Sequence, residues 1–488
     1  MPYLSGSCDR KNPQYNIRIL SDMEFGHLVF EGNSYTQGPE IKLETLVVGG
    51  GIAGLAAAYS LRDQDFILCE LSNQLGGTSN AIEINGSYFA QGAHYDLAYP
   101  DNYGKEGLEL LQKLNVIQFN SFSELWEFND KQFLINNESK SRCFDQGIFR
   151  EDVLPDGYIK LDFINLLEKF KGEMTMPSRM IKSQYRIFNY ITFTEYLKKE
   201  INPDQHFLRA VDYQMRDDYG GTAEQVSALA GIHYYQCRPY YTKPVELFSP
   251  PQGNYYFVQK LIQHIPDEKI KIGQLVFNIE KISDGFHVKI LDRNYKRILH
   301  YFVKNIIYAG NKHALKYTFP VDYPLFEHIN YAPWAVMNIV LKDQLSGEPI
   351  WQNEILSGHP SMIGFVDSAA QNTDSDTPRV LTVYFCMQPE LRQILADMEK
   401  NKQAFCDQAI NLLNNYFGVE LEYQIEEVYI RLLGHAMPVP TTGYLFKDQN
   451  DNRSYENLVY AGIDNHRLPL FFEALDSGIQ AAKMILSS

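Results

Sequence analysis

Cysteine is scarce and unpaired in this sequence: six residues stand at 8, 69, 143, 237, 386 and 406, with no CxxC pair and no ligand-like spacing. That argues against a disulfide framework and against a zinc site, so no metal centre is expected and most of the thiols read as buried apolar groups. Long apolar runs are also missing. Each is broken by glycine, charge or turn residues before it reaches the length of a bilayer crossing, so no transmembrane segment is expected. Positive charge is the third shortage. The 44 Lys+Arg against 60 Asp+Glu leave a formal charge of −16, which repels nucleic-acid phosphates and anionic membranes; no nucleic-acid partner is expected, and a cationic or neutral small-molecule substrate suits better than an anionic one. Internal repeats and low-complexity tracts are not evident.

What is there suits a large folded protein. At 488 residues, 45% hydrophobic and 21% charged, the chain exceeds one compact core, implies two or more globular units and has room for a large cofactor. The stretch "LSGSC", Leu4 to Cys8, has the small-residue texture of a lipoprotein cleavage site but lacks a preceding apolar segment. A soluble cytoplasmic protein is the main expectation for localisation and an exported lipoprotein carried on Cys8 the minor one, with the compartment left open.

Residues 1–40 are polar and irregular, with a short strand expected at His27 to Phe30. From Ile41 the pattern sharpens into a βαβ unit: "IKLETLVVG" as strand, "IAGLAAAYSLRD" as helix and "QDFILCELS" as a second buried strand. Residues 101–245 change character, with amphipathic helices at "KEGLELLQKL", "IKLDFINLLEKFK" and "TFTEYLKKEI" around strand-like aromatic pieces. A further helix is expected to begin after Gly220-Gly221 and to end in an aromatic cluster, where Tyr234, Tyr235, Tyr240 and Tyr241 are either a cation-binding wall or ordinary core. Then "NYYFVQKLIQHI" reads as helix, and "KIKIGQLVFNIEKI", "GFHVKILDR" and "KNIIYAGN" as strands. After Lys312 come strands at "WAVMNIVLK", "RVLTVYFC" and "IEEVYIRLL" with one long helix, and the chain closes as strand, turn and helix.

The chemistry starts at the first βαβ unit. Gly49, Gly51 and Gly54 form G-x-G-x-x-G between strand and helix. The spacing suits a tight turn at Gly49, close backbone approach to a diphosphate at Gly51 and helix-on-strand packing at Gly54, beside Ala53. The helix N-terminus then offers free N–H groups and a positive dipole end. Glu70 ends the second strand, at the separation where an acid takes a ribose hydroxyl. A dinucleotide is therefore expected on this turn.

Beyond Glu70, "LSNQLGGTS" places Gly76, Gly77 and Thr78 in a pattern that resembles the E-x5-G-G continuation of flavoproteins in the amine oxidase, phytoene desaturase and protoporphyrinogen oxidase superfamily. Further segments resemble that superfamily in order: "QGAHY" with Gly92, Ala93 and His94; "QLVFNIEKI" with Val276; "IIYAGN" with Ala309 and Gly310; "NLVYAGIDN" with Gly462 and Asp464; and "EALDSGIQAA" with Ala474, preceded by Phe472. The resemblance implies non-covalent FAD held by these residues, Asp464 reaching the ribityl chain and the closing helix facing the flavin's pyrimidine edge. It implies an α/β fold: a Rossmann-like FAD-binding domain discontinuous over 41–100, 246–311 and 452–488, with an inserted α+β substrate domain over 101–245 and 312–451, after the extension 1–40. One departure is plain, since Thr78 stands where many relatives carry an arginine.

For such a protein the resemblance implies an oxidoreductase that removes a hydride from an amine-like or amino-acid-like substrate to flavin N5, with oxygen reoxidising the flavin. The lysine common near N5 in amine oxidases does not align. Asn338 occupies that neighbourhood, Lys342 lies at the strand end, and Trp351 matches a later aromatic. His435 is the candidate acid or base, with a packing histidine equally open. Two other readings stay open: a desaturase or dehydrogenase of a hydrophobic substrate, and a flavin-binding partner protein without catalysis.

Overall fold

The computed structural model describes residues 15–30, 35–94, 103–135, 141–237, 247–343, 345–371, 377–447 and 449–487. Two large sheets carry the architecture. The first is built on parallel strands Thr36–Val48 and Phe66–Cys69, joined by the helix Ile52–Ser60, with Val47 opposite Leu68 and Val48 opposite Cys69. Leu46, Val47 and Leu68 have no exposed surface, as the unalternating apolar text of a strand covered on both faces requires. On the other flank runs Arg297–Tyr308, parallel to Thr36–Val48. Its free edge is shared: the early part pairs antiparallel with Gly285–Asp292, and Ile306 to Tyr308 pair in parallel with Leu458–Tyr460. The last strand of the chain thus closes beside the first βαβ unit, and the C-terminal helix Phe471–Leu486 packs on Ile52–Ser60.

The second sheet has eight strands in the order Asn16–Leu20, Ile425–Pro438, Tyr331–Leu341, Val380–Cys386, Met362–Asp367, Gln352–Ile355, Ser141–Asp145, Ile148–Arg150. Every residue of Tyr331–Leu341 is buried. Ala335, Met337 and Ile339 face a cluster with the helix Met398–Phe417, while Trp334 and Val336 turn the other way, toward the core shared with the first sheet. Between and beside the sheets lies a helical layer that includes Lys105–Lys113, Tyr158–Glu168, Phe193–Glu200, Gln205–Tyr219 and Ala228–Cys237.

Three expectations need correction. His27 to Phe30 is no strand: Met23–His27 is a short helix continuing into a 3-10 turn at Leu28–Phe30, and its entry is held by the Met23 N–H donating to Ser21 Oγ at 3.1 Å. Nor is the start of the chain merely an extension, because Asn16–Leu20 is an edge strand parallel to Ile425–Pro438, and Thr36 already begins the Rossmann strand. No helix starts directly after Gly220-Gly221. Gly220 instead ends the helix Gln205–Tyr219 in the left-handed conformation (φ +72°), and the next begins at Ala228. The overlooked helix has a clear start signal, since Asp204 Oδ1 accepts the Phe207 N–H at 2.8 Å. Cys8, Tyr240 and Tyr241 lie outside the described residues.

Candidate functional site

The glycine turn is built as a cradle. Gly49 has φ +99°, and a Cβ there would meet Gly310 N at 2.8 Å and the Ala309 carbonyl carbon at 2.9 Å. A Cβ on Gly54 would sit 1.8 Å from the Gly49 carbonyl oxygen, and one on Gly478 2.0 Å from that of Ala53. These positions are small because protein backbone crowds them. Gly51 differs: the nearest protein atom to a Cβ there is Gly76 O at 4.0 Å. The space in front of Gly51, at the N-terminus of Ile52–Ser60, is open to something other than protein.

Glu70 and the second glycine pair frame that opening. The Gly50 N–H donates to Glu70 Oε2 at 2.6 Å and the Ser72 N–H to Oε1 at 2.8 Å. Burial pushes the Glu70 carboxyl above its ordinary range, and these two N–H groups pull back toward the charged form. Gly76 N–H donates to Gly50 O at 2.8 Å, and Gly77 lies over Gly51, a Cβ on it falling 3.3 Å from the Gly51 Cα. The chain then turns through Thr78, against which Gly92 and Ala93 are laid: Ala93 N–H donates to Thr78 O at 3.0 Å.

From here a cavity of about 780 Å³ opens between the two sheets. Thr78, Gly92, Ala93, Ile463, Leu470 and Phe471 line its Rossmann side; Trp334, Val336 and Tyr384 come from the second sheet, and Trp351 from just before its strand Gln352–Ile355. Glu354, Asp217, Asp218 and Asp152 also line it. Trp351 donates Nε1–H to Ser249 Oγ at 2.9 Å, and the His94 ring lies 5.7 Å from Trp351 and 4.8 Å from Tyr384. Among the described residues, Trp334 Nε1, on a residue 7% exposed, and the Tyr384 hydroxyl, on a residue 5% exposed, have no hydrogen-bond partner. Orphaned buried donors are costly, so this wall has hydrogen bonds left to give. Burial, then the neighbouring Asp217 and Asp152 charges, hold the Glu354 carboxyl well above its usual range.

Gly49, Gly51, Gly54, Glu70, Gly76, Gly77, Ala309 and Gly310 thus come together at one turn, and Thr78, Gly92, Ala93, His94 and Trp351 at the cavity. Others lie elsewhere. Asp464 turns inward, accepting the Lys312 N–H and an Nζ bond from Lys312, each at 2.8 Å, and the Tyr331 hydroxyl at 3.0 Å. Ile463 takes the cavity wall in its place. Phe472 stacks on Tyr103 at 3.7 Å, leaving the cavity to Phe471. Ala474 packs partly buried against the core, and Val276 is buried on the strand Gln274–Ile282. Asn338 is fully engaged, donating to Ala90 O at 2.9 Å and Thr382 Oγ1 at 3.0 Å and accepting from Gln91 Nε2 at 3.1 Å. His435 stacks on His313 at 3.6 Å, while its neighbours Leu433, Ala436 and Met437 reach the cavity. Lys342 is exposed.

Sequence reasoning missed Lys312, Ile463, Glu354, Trp334 and Tyr384. Asp217 and Asp218 lie in the last turn of the overlooked helix Gln205–Tyr219 and line the cavity from it. The lone Lys312 carried no local signal.

Comparison with known proteins agrees with this geometry. The NAD(P)-binding Rossmann-like domain family matches residues 47–113. Among solved structures, the chain is similar to a putrescine oxidase bound to putrescine, with a TM-score of 0.66 at 14% identity over 92% of this chain and 100% of that one. It is similar to a candidate protoporphyrinogen oxidase from Exiguobacterium, with a TM-score of 0.64 at 14% identity over 93% of this chain and 100% of that one. A cyclohexylamine oxidase from Brevibacterium oxydans gives a TM-score of 0.62 at 13% identity over 91% and 99% of the two chains. No curated protein matches. The chain has the two-domain fold of these oxidases, with a Rossmann-like dinucleotide-binding domain.

Proposed function

We propose that the protein is an FAD-dependent oxidoreductase acting on an amine that is cationic in solution. The residues present fit the cofactor. The open space before Gly51 suits a diphosphate on the helix N-terminus, and Glu70 suits a ribose hydroxyl. The cavity beside Thr78, Gly92 and Ile463 is large enough for an isoalloxazine ring with a substrate beyond it. Bound FAD would supply the acceptor for a hydride from the carbon beside the substrate nitrogen, with oxygen as the final acceptor and peroxide as its product.

The observation that carries the substrate class is the joining of acid and aromatic surface in one cavity: Glu354 and Asp217 share it with Trp334, Trp351 and Tyr384. Carboxylates attract an ammonium group, and aromatic faces hold it or its alkyl chain. The Asp217 charge makes Glu354 harder to ionise, and a bound cation relieves that repulsion. The putrescine and cyclohexylamine oxidases that share the fold support the same class. A channel for a purely hydrophobic substrate has no use for these acids.

The test is direct. The purified protein, reconstituted with FAD, is mixed anaerobically with amines, amino acids, polyamines and lipophilic alkenes, and the flavin band is followed. Bleaching by amines with peroxide on readmission of air supports the proposal. Bleaching by lipophilic compounds alone replaces it with a desaturase, and bleaching by nothing replaces it with a flavin-binding partner protein.

A further inference from the structure

Thr78 leaves the diphosphate without the cation that a longer side chain there would bring, and the phosphate turn itself offers only N–H groups. The strand Ile425–Pro438 of the second sheet supplies one from across the cleft. Leu433, Arg431 and Tyr429 stand opposite Trp334, Val336 and Asn338 in regular antiparallel register, so their side chains share one face. Leu433 lines the cavity. Tyr429 packs on the cluster of Ile84 and Phe89, from the hairpin that follows Gly76-Gly77. Arg431 lies between them, on the face turned to the Rossmann sheet.

Its guanidinium is under-used. The side chain is only 13% exposed, yet among the described residues its one ion contact is to Asp22, at 3.6 Å. Asp22 is better engaged by Arg293, at 2.9 Å. The Arg431 Nε is buried with no hydrogen-bond partner among the described residues, a costly condition for a charged donor. The other carboxylate whose charge reaches Arg431 is Glu70, which holds the Gly50 N–H at the mouth of the phosphate turn. A cation partly compensated by Asp22 and Glu70, with spare donors beside that turn, suits an anion that arrives with a ligand.

We infer that Arg431 binds the diphosphate of FAD in this chain, reaching from the second sheet to do what Thr78 cannot. The inference rests on the FAD reading above. It makes the nucleotide a bridge between the two sheets, so FAD binding and docking of the sheets strengthen one another.

The apoprotein is titrated with FAD and, separately, with riboflavin, which lacks both phosphates, following the quenching of flavin fluorescence. Arg431→Met is expected to raise the Kd for FAD about 10- to 100-fold, leave the Kd for riboflavin within about twofold, and flatten the salt dependence of FAD binding. Thr78→Arg added to Arg431→Met is expected to restore most of the loss, because Thr78 is exposed on the cavity wall and has room for the longer side chain. If Arg431→Met does not fold, Arg431→Gln, which removes the charge and keeps a polar side chain, serves for the same comparison. Unchanged FAD affinity, or equal losses for FAD and riboflavin, overturns the inference and leaves Arg431 a structural tie to Asp22. A wild-type protein that binds riboflavin and FAD equally well also overturns it. A wild-type protein that binds neither overturns the FAD reading itself.

Discussion

Lys312 and Asp464 form a buried pair, Nζ to Oδ1 at 2.8 Å, in which the lysine side chain has no exposed surface. The lysine also donates to the carbonyls of Ala461, at 2.6 Å, and Gly310, at 3.1 Å. It thereby ties the ends of two neighbouring parallel strands, Arg297–Tyr308 and Leu458–Tyr460, just behind the glycine turn. Burial lowers the lysine's affinity for its proton, while the Asp464 charge and hydrogen bond hold the proton on.

Lys312→Met therefore leaves Asp464 as an uncompensated buried carboxylate. Breaking one side of such a pair costs about 3–5 kcal/mol, so a large fall in Tm is expected, read by thermal unfolding of the apoprotein. Lys312→Met combined with Asp464→Leu should recover much of that loss, since replacing both charges removes the unpaired one. A single variant as stable as wild type would mean that the charge at Asp464 is not buried in solution.

Gly51→Ala separates packing from ligand binding. Its Cβ would meet no protein atom nearer than 4.0 Å, and Gly51 has φ −75°, which alanine adopts freely. The apoprotein should keep its Tm within about 1 °C, or gain slightly from the lost flexibility of the unfolded chain. FAD binding, measured by fluorescence titration, should weaken at least about tenfold, because the methyl group would occupy the place proposed for the diphosphate. Gly54→Ala is the contrast: its Cβ would lie 1.8 Å from Gly49 O, so it should lose fold and ligand together.

The parts that could be read from sequence were those where one short segment carries its own constraint. The turn at Gly49, Gly51 and Gly54 and the acid at Glu70 follow from a strand, a tight turn and a helix within about two dozen consecutive residues. Asp464 shows the limit. One residue of register decides whether an acid after Gly462 faces the cavity or the interior, and here Ile463 holds the cavity side. Adjacent residues in such a turn point in different directions, and only the buried partner Lys312, far away in sequence, decides between them. Phe471 and Phe472 repeat the lesson, one lining the cavity and the other stacking on Tyr103. Arg431 and Glu354 were invisible for a related reason: each lies on a strand whose neighbours in the sheet come from distant segments.

Glu354→Gln and Asp217→Asn test the substrate class. Each removes a carboxyl group that could charge against a bound ammonium while keeping the shape of the side chain. For amine substrates KM should rise about 10- to 100-fold, as expected for loss of a charge-assisted contact, with a smaller change in kcat. In steady-state assays of peroxide release, the two variants together should lose less than the sum of their separate effects, since each acid raises the cost of charging the other. Unchanged KM for every amine tested would remove these carboxylates from substrate binding.

The stacked imidazoles of His313 and His435 make stability fall in mild acid. His313 follows the Rossmann strand Arg297–Tyr308 and His435 lies on the second-sheet strand Ile425–Pro438, so their ring contact at 3.6 Å spans the seam between the sheets. Asn311 bridges the same seam, its Nδ2 donating to His435 O at 2.7 Å and its Oδ1 lying 2.7 Å from His313 Nδ1. Burial, then the charges of His313, Arg392 and His27, depress His435 to about 3; burial depresses His313 to about 4, with Arg392 and His27 adding to it and the Asp464 charge opposing it. In the unfolded chain both take up protons near the ordinary histidine value of about 6.5. Between that value and the folded values the unfolded state binds more protons. Stability is then complete above about pH 6.5 and declines as pH falls toward 4, by at most about 1.4 kcal/mol per pH unit for each histidine. His435→Gln removes one of the two titrations. At pH 7.5 the variant should be the less stable by about 1 kcal/mol, from the lost ring stack. From pH 6.5 to pH 5 its denaturation midpoint should fall less steeply than that of wild type, so that the two curves converge. Parallel curves across that range would show that the pair is solvated and titrates normally.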